Sequence, residues 1–153
     1  MAGGESTEGE QGYLTALATP VIKLDNMQFN KISTILIWSE NWKRLADWYQ
    51  ELFDLKLVEE IGHPQDTGRL FEFPEDGVKL WIGQHSEVKG TNPDPCRIMF
   101  NINVDSVAKA YEYLISKGVK IVAAPFKAPT FDKWFVTFED LDGNYVQIIG
   151  PKE

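Results

Sequence analysis

The chain has 153 residues, 43% of them hydrophobic and 12% aromatic, which suits one domain with a real core. Its 15 Lys plus Arg against 23 Asp plus Glu leave a formal net charge of -8, which argues against nucleic acid because phosphate binding needs a basic patch, and no apolar run approaches the ~20 residues of a membrane span. The opening MAGGESTEGEQG lacks the basic-then-apolar plan of a secretory signal, and the single Cys96 excludes an internal disulfide or a cysteine metal cluster, so a cytoplasmic setting is expected.

Residues 1–28 are rich in Gly, Glu, Ser and Thr with few apolar anchors, and are expected to be a disordered tail and lead-in. One domain should fill 29–153. Its first element is the β-branched run 31–38, a buried strand. Ser39 then stands as an N-cap for a helix over 40–53, whose apolar face is Trp42, Leu45, Ala46, Tyr49, Leu52 and Phe53. Strands follow at 55–60, 69–73 and 78–84, the last two joined by the Pro74-Glu75-Asp76-Gly77 turn. The second half opens with a strand at 97–104. Asp105 caps a helix over 106–117, and Gly118 ends it. Strands at 120–124, 133–139 and 145–149 complete the chain, with Asp142-Gly143-Asn144 as the turn between the last two.

Strand, helix and three strands therefore occur twice, at 29–90 and 96–151, offset by about 65 residues. One helix covers only one face of a four-stranded sheet, so each half leaves a face open. The expected fold class is α+β: two βαβββ modules forming a curved mixed sheet around a cleft, with the helices packed outside.

The order of these pieces resembles the vicinal oxygen chelate superfamily, which includes glyoxalases, bleomycin-resistance proteins and extradiol dioxygenases. Ser39-Glu40, Trp48-Tyr49 and Phe53-Asp54-Leu55 resemble its opening, and Val104-Asp105-Ser106-Val107 with Gly118 resembles its second module. The run from Phe138 through Asp140-Leu141-Asp142-Gly143-Asn144 to Ile149 resembles its closing motif, with Leu141 in place of the usual proline. In the superfamily's metal enzymes, four inward residues on the first and fourth strands of each module hold a divalent metal. The resemblance carries those positions to Thr34, Trp81, Met99 and Gln147.

That set should not hold a metal. Zinc, nickel, manganese or iron needs carboxylate, imidazole or thiolate donors. An indole has no lone pair to give, and thioether, hydroxyl and a single amide are weak ligands. Of the two histidines, His63 falls in an expected loop, and His85 lies at a strand end and reads as an exposed side chain. No Ser–His–Asp arrangement or phosphate loop is present. The expected cofactor is therefore none, with a divalent metal recruiting Gln147, His85 or a glutamate as the alternative.

Alternation along the strands turns Thr34, Leu36, Trp38, Trp81, Met99 and Asn101 to the cleft, together with Asn103, Phe135, Thr137, Tyr145 and Gln147. This apolar, aromatic set with a few neutral hydrogen-bonding groups matches a small-molecule pocket. The expected function is metal-free binding of an aromatic or cationic small molecule. The alternatives are a metal-dependent lyase, isomerase or dioxygenase with unusual ligands, and a structural or interaction protein. A small-molecule ligand and a homodimer are the expected partners, with no nucleic acid and no membrane.

Overall fold

The computed structural model describes Pro20 and residues 27–153. The expected tail over 1–19, and most of the lead-in, lie outside the described residues. Contacts divide the chain into Met1–Lys31 and Ile32–Glu153. The described residues of the first unit carry no helix or strand; everything below concerns the second.

Two βαβββ modules follow one another. The first is β1 (Thr34–Trp38), α1 (Trp42–Phe53), β2 (Lys56–His63), β3 (Asp66–Glu72) and β4 (Lys79–Gly83). The second is β5 (Asn101–Asn103), α2 (Val107–Ser116), β6 (Lys120–Lys127), β7 (Trp134–Glu139) and β8 (Tyr145–Gly150). Each module makes a four-stranded mixed sheet, ordered β1-β4-β3-β2 and β5-β8-β7-β6. The first and last strands of each module pair in parallel, and the other pairs are antiparallel. The fold is α+β, two mixed sheets forming a curved surface that does not close into a barrel.

The alternating pattern locates the core. Ile37, Leu80, Ile82, Val136, Phe138, Val146 and Ile148 are buried on the helix side. Against them α1 presents Trp42, Leu45, Ala46, Tyr49 and Leu52, at the spacing of one helical stripe. One core serves both modules. Phe138 of β7 meets Phe53 at 5.9 Å and Trp48 at 6.4 Å between ring centroids. Nearby, the Tyr113 hydroxyl of α2 donates to the Leu52 carbonyl at 2.6 Å.

Several ends differ from the sequence expectation, each for a local reason. Ser39 does not cap α1. Its backbone N–H donates to the Gly83 carbonyl, and its Oγ accepts from Asn41 N–H, so the helix starts only at Trp42. Ser106, not Asp105, caps α2, with Oγ accepting from Lys109 N–H at 3.1 Å. The segment after β8 then supplies acceptors to the first free helix donors, Val107 N–H to the Pro151 carbonyl and Ala108 N–H to the Lys152 carbonyl. Ser106→Ala should therefore cost about 1 kcal/mol, read as a lower urea midpoint with unchanged slope. His63 ends β2 and does not lie in a loop. Strand β6 runs on to Lys127 because the register shift between Ala123 and Phe126 accommodates Pro125 on an edge strand. The largest difference is β5, which is three residues long, not eight. Residues 97–99 stay outside its ladder, Phe100 joins it only through its carbonyl, which accepts from Gln147 N–H at 3.0 Å, and Ile98 is 85% exposed.

Candidate ligand-binding site

The face of the strands away from the helices carries the residues expected to line a cleft. They fall into two rows. In the first module Leu36 stands opposite Trp81, and Trp81 opposite Leu70. In the second, Asn101 stands opposite Gln147, and Gln147 opposite Thr137. Gln147 Nε2 donates to Thr137 Oγ1 at 3.1 Å, so this amide already has a partner. Thr34 pairs with Lys79, two residues before Trp81. Met99 is half-buried ahead of β5. Trp38 meets His85 edge-on at 5.5 Å. Phe135 stacks on Phe126 at 5.5 Å and takes the edge of Phe131 at 6.0 Å. Phe126 and Phe131 were not anticipated, because neither a bulged strand nor a loop shows a period.

Trp81 has the most consequential environment. A Cβ placed on Gly68 would lie 2.5 Å from its Cζ2, and one on Gly83 would lie 2.5 Å from its Nε1. The indole therefore packs closely against Gly68 and Gly83, which pair across β3 and β4, and is 7% exposed. Its Nε1–H has no hydrogen-bond partner among the described residues, at a cost of about 1–3 kcal/mol.

This arrangement decides the fit of a metal. The four positions offer a hydroxyl, a buried indole, a thioether and one amide oxygen. They do not fit a divalent ion. Nor do the histidines supply what is missing. Nδ1 of His85 accepts from Glu87 N–H, and Nδ1 of His63 from Gln65 N–H. Among the described residues, no three His, Cys, Asp or Glu side chains gather in a way that would hold an ion.

Two grooves lie elsewhere, beside β1. One groove of about 460 Å³ runs between Ile35–Trp38 of β1, residues 87–93 of the inter-module linker, Ile98 and Phe100, and the β7–β8 turn at Asp142, Asn144 and Tyr145. A second, of about 400 Å³, lies between Ile35, the 73–80 hairpin and residues 100–105. Leu36, Trp38 and Tyr145 line the first, and Asn101 and Asn103 the second. Thr34, Trp81, Met99, Phe135, Thr137 and Gln147 line neither. The linker residues and the carboxylates Glu87 and Asp142 were not expected there. The linker shows no periodicity, and its position depends on contacts about 50 residues away in sequence.

Those contacts fix the groove wall. Asn92 N–H donates to the Asp142 carbonyl at 2.7 Å, and Asn92 Nδ2 to Asn144 Oδ1 at 2.9 Å. The turn in its own right is built on Asp140. Its carboxylate accepts from the backbone N–H groups of Asp142 and Asn144, from Asn144 Nδ2 and from the Tyr49 hydroxyl. Gly143 takes the left-handed φ of 79° that closes the turn. Burial pushes the Asp140 carboxyl up from the ordinary carboxylate value against the pull of these donors. Burial first, and then the Asp140 charge, raise the Tyr49 phenol.

Comparison with known proteins agrees with this geometry. Residues 31–148 match the family described as the Glyoxalase/Bleomycin resistance protein/Dioxygenase superfamily. A superfamily member from Sphaerobacter thermophilus DSM 20745 superposes with a TM-score of 0.67 at 15% identity, covering 80% of this chain and 98% of that one. TnmS3, an antibiotic binding protein from Streptomyces sp. CB03234, superposes with a TM-score of 0.66 at 16% identity over 82% and 99% of the two chains. A glyoxalase I variant from Zea mays gives 0.63 at 21% identity, with 80% of this chain matching 46% of the longer one. At these identities the likeness speaks for the fold. Among curated proteins, none matches the chain by sequence.

Proposed function

The chain belongs to the Glyoxalase/Bleomycin resistance protein/Dioxygenase superfamily, and from that premise we propose that it binds a small organic molecule without a metal. The observation that carries this reading is the donor set at the four floor positions. The Thr34 hydroxyl, the Met99 thioether and the single Gln147 amide oxygen are weak ligands, and Trp81 fills the space over Gly68 and Gly83. Apolar surface beside the floor supports a binding role. Leu36 is 54% exposed next to a groove whose volume suits a small ligand. A relative of the same fold, TnmS3, is an antibiotic binding protein.

Two measurements test the reading. Protein purified without chelator should carry far less than one equivalent of zinc, nickel, manganese or iron, and EDTA should leave its melting temperature unchanged. A panel of polycyclic aromatic and amine ligands should include members that quench the tryptophan fluorescence saturably. A stoichiometric ion whose removal lowers the melting temperature overturns the proposal. So does a panel in which nothing binds.

The same reading includes a homodimer. Phe131 and Ile115 are each 51% exposed, apolar surface that a second copy would cover. Sedimentation equilibrium should give twice the mass of the 17.4 kDa chain.

A further inference from the structure

The groove beside β1 differs from the cleft floor in chemistry as well as place, and we infer that it is a site for an organic cation with an apolar body. The inference rests on the proposed ligand-binding role and specifies the class of ligand. Three observations carry it.

The first is the wall. Ile35 and Phe100 form an apolar base, and Leu36 and Ile98, 54% and 85% exposed, leave uncovered hydrocarbon along it. Such surface binds the body of a ligand, at about 25 cal/mol per Å² removed from water.

The second is the aromatic pair. Trp38 and Tyr145 line the same groove from β1 and from the start of β8. Their rings suit an ammonium or a flat cation more than an anion, since the ring face is the negative end of its quadrupole.

The third is charge. Glu87 and Asp142 line the groove against one ammonium, Lys89. Among the described residues neither carboxylate is part of an ion pair. Glu40 reaches the same linker, where its carboxylate accepts from Gly90 N–H at 3.0 Å. A bound cation gives these carboxylates a counter-charge, and an anion meets repulsion. The wall is also set before the ligand arrives, because Asn92 bonds the linker to the turn through Asp142 and Asn144. Little ordering cost is left to binding.

The test compares three probes of similar size on the full chain: benzyltrimethylammonium, its uncharged carbon isostere neopentylbenzene, and benzenesulfonate. Binding is followed by amide and indole chemical shifts. Benzyltrimethylammonium should bind at least about tenfold more tightly than the isostere, with shifts at Trp38 and Tyr145, and benzenesulfonate should not bind. The double variant Glu87→Gln, Asp142→Asn should lose that preference and keep its melting temperature. Glu87→Gln alone, on an exposed side chain, should lose part of it. Equal binding of the charged and uncharged probes at Trp38 and Tyr145 overturns the cation assignment while the ligand-binding reading stands. Shifts confined to Thr137 and Gln147 overturn the groove as the site. Failure of all three probes overturns the cation site, and the wider ligand panel then decides the proposed function separately.

Discussion

Asp140→Ala is expected to lower the stability of the fold by about 3–5 kcal/mol. The substitution removes one acceptor from four donors. Two are backbone N–H groups of the turn, one is Asn144 Nδ2, and one is the hydroxyl of Tyr49, a residue that is 0% exposed. The phenol is held by the core and cannot turn to water, so its desolvation is left without compensation. Tyr49→Phe makes a useful contrast. It removes the donor and leaves Asp140 three others, so about 1 kcal/mol should be lost. Urea denaturation of the two variants separates these values. A loss near 1 kcal/mol for Asp140→Ala would show that the turn stands without its carboxylate.

The same carboxyl gives a dependence on pH. Burial raises its native pKa above the unfolded one, so over the interval between the two values the native state holds more protons. The contribution of Asp140 to stability is fully present below the unfolded value and is lost as pH rises through the native value. Asp140→Asn has no such titration. Urea midpoints across the mildly acidic range should fall with rising pH more steeply in the parent than in this variant.

Trp81→Ala is expected to cost about 3–5 kcal/mol, since a buried indole leaves a large void. It should also change what the neighbouring glycines tolerate. In the parent, Gly83→Ala drives a methyl to within 2.5 Å of Trp81 Nε1 and 2.6 Å of the Thr67 carbonyl, an overpacking cost of about 1–3 kcal/mol. With Trp81 already alanine the first collision disappears and the second remains. A double-mutant cycle should therefore show Gly83→Ala costing less in the Trp81→Ala background, with a coupling of about 1 kcal/mol. Simple additivity would mean that the indole does not rest on Gly83.

Much of this architecture is legible in the chain. The spacing of Trp42, Leu45, Ala46, Tyr49 and Leu52 gives the buried stripe of α1. The alternation in β8 separates the buried Val146 and Ile148 from the half-buried Tyr145 and Gln147. Gly118 and Gly143 both take positive φ where a turn needs it. Local patterns of this kind are set by the repeat of the helix or strand itself. The features that escaped depend on distance along the chain. Tyr49 and Asp140 meet across 91 residues, and nothing in either segment names the other. The run 97–104 carries no sign that only Asn101–Asn103 pairs as a strand. The groove beside β1 is walled partly by linker residues, which no periodicity marks. Its carboxylates therefore could not be told from solvated surface charge.

Hydrogen-bonded ladders stop at β1 on one side and at β5 on the other. The two sheets are held together on the helix side, by the shared aromatic core and by the bonds of Tyr49 and Tyr113. The halves thus resemble a book bound along its spine, with the facing strand edges unpaired and one clasp, Asn92, reaching across to the β7–β8 turn. Because no strand-to-strand bond crosses the margin, a guest lying along it would displace none.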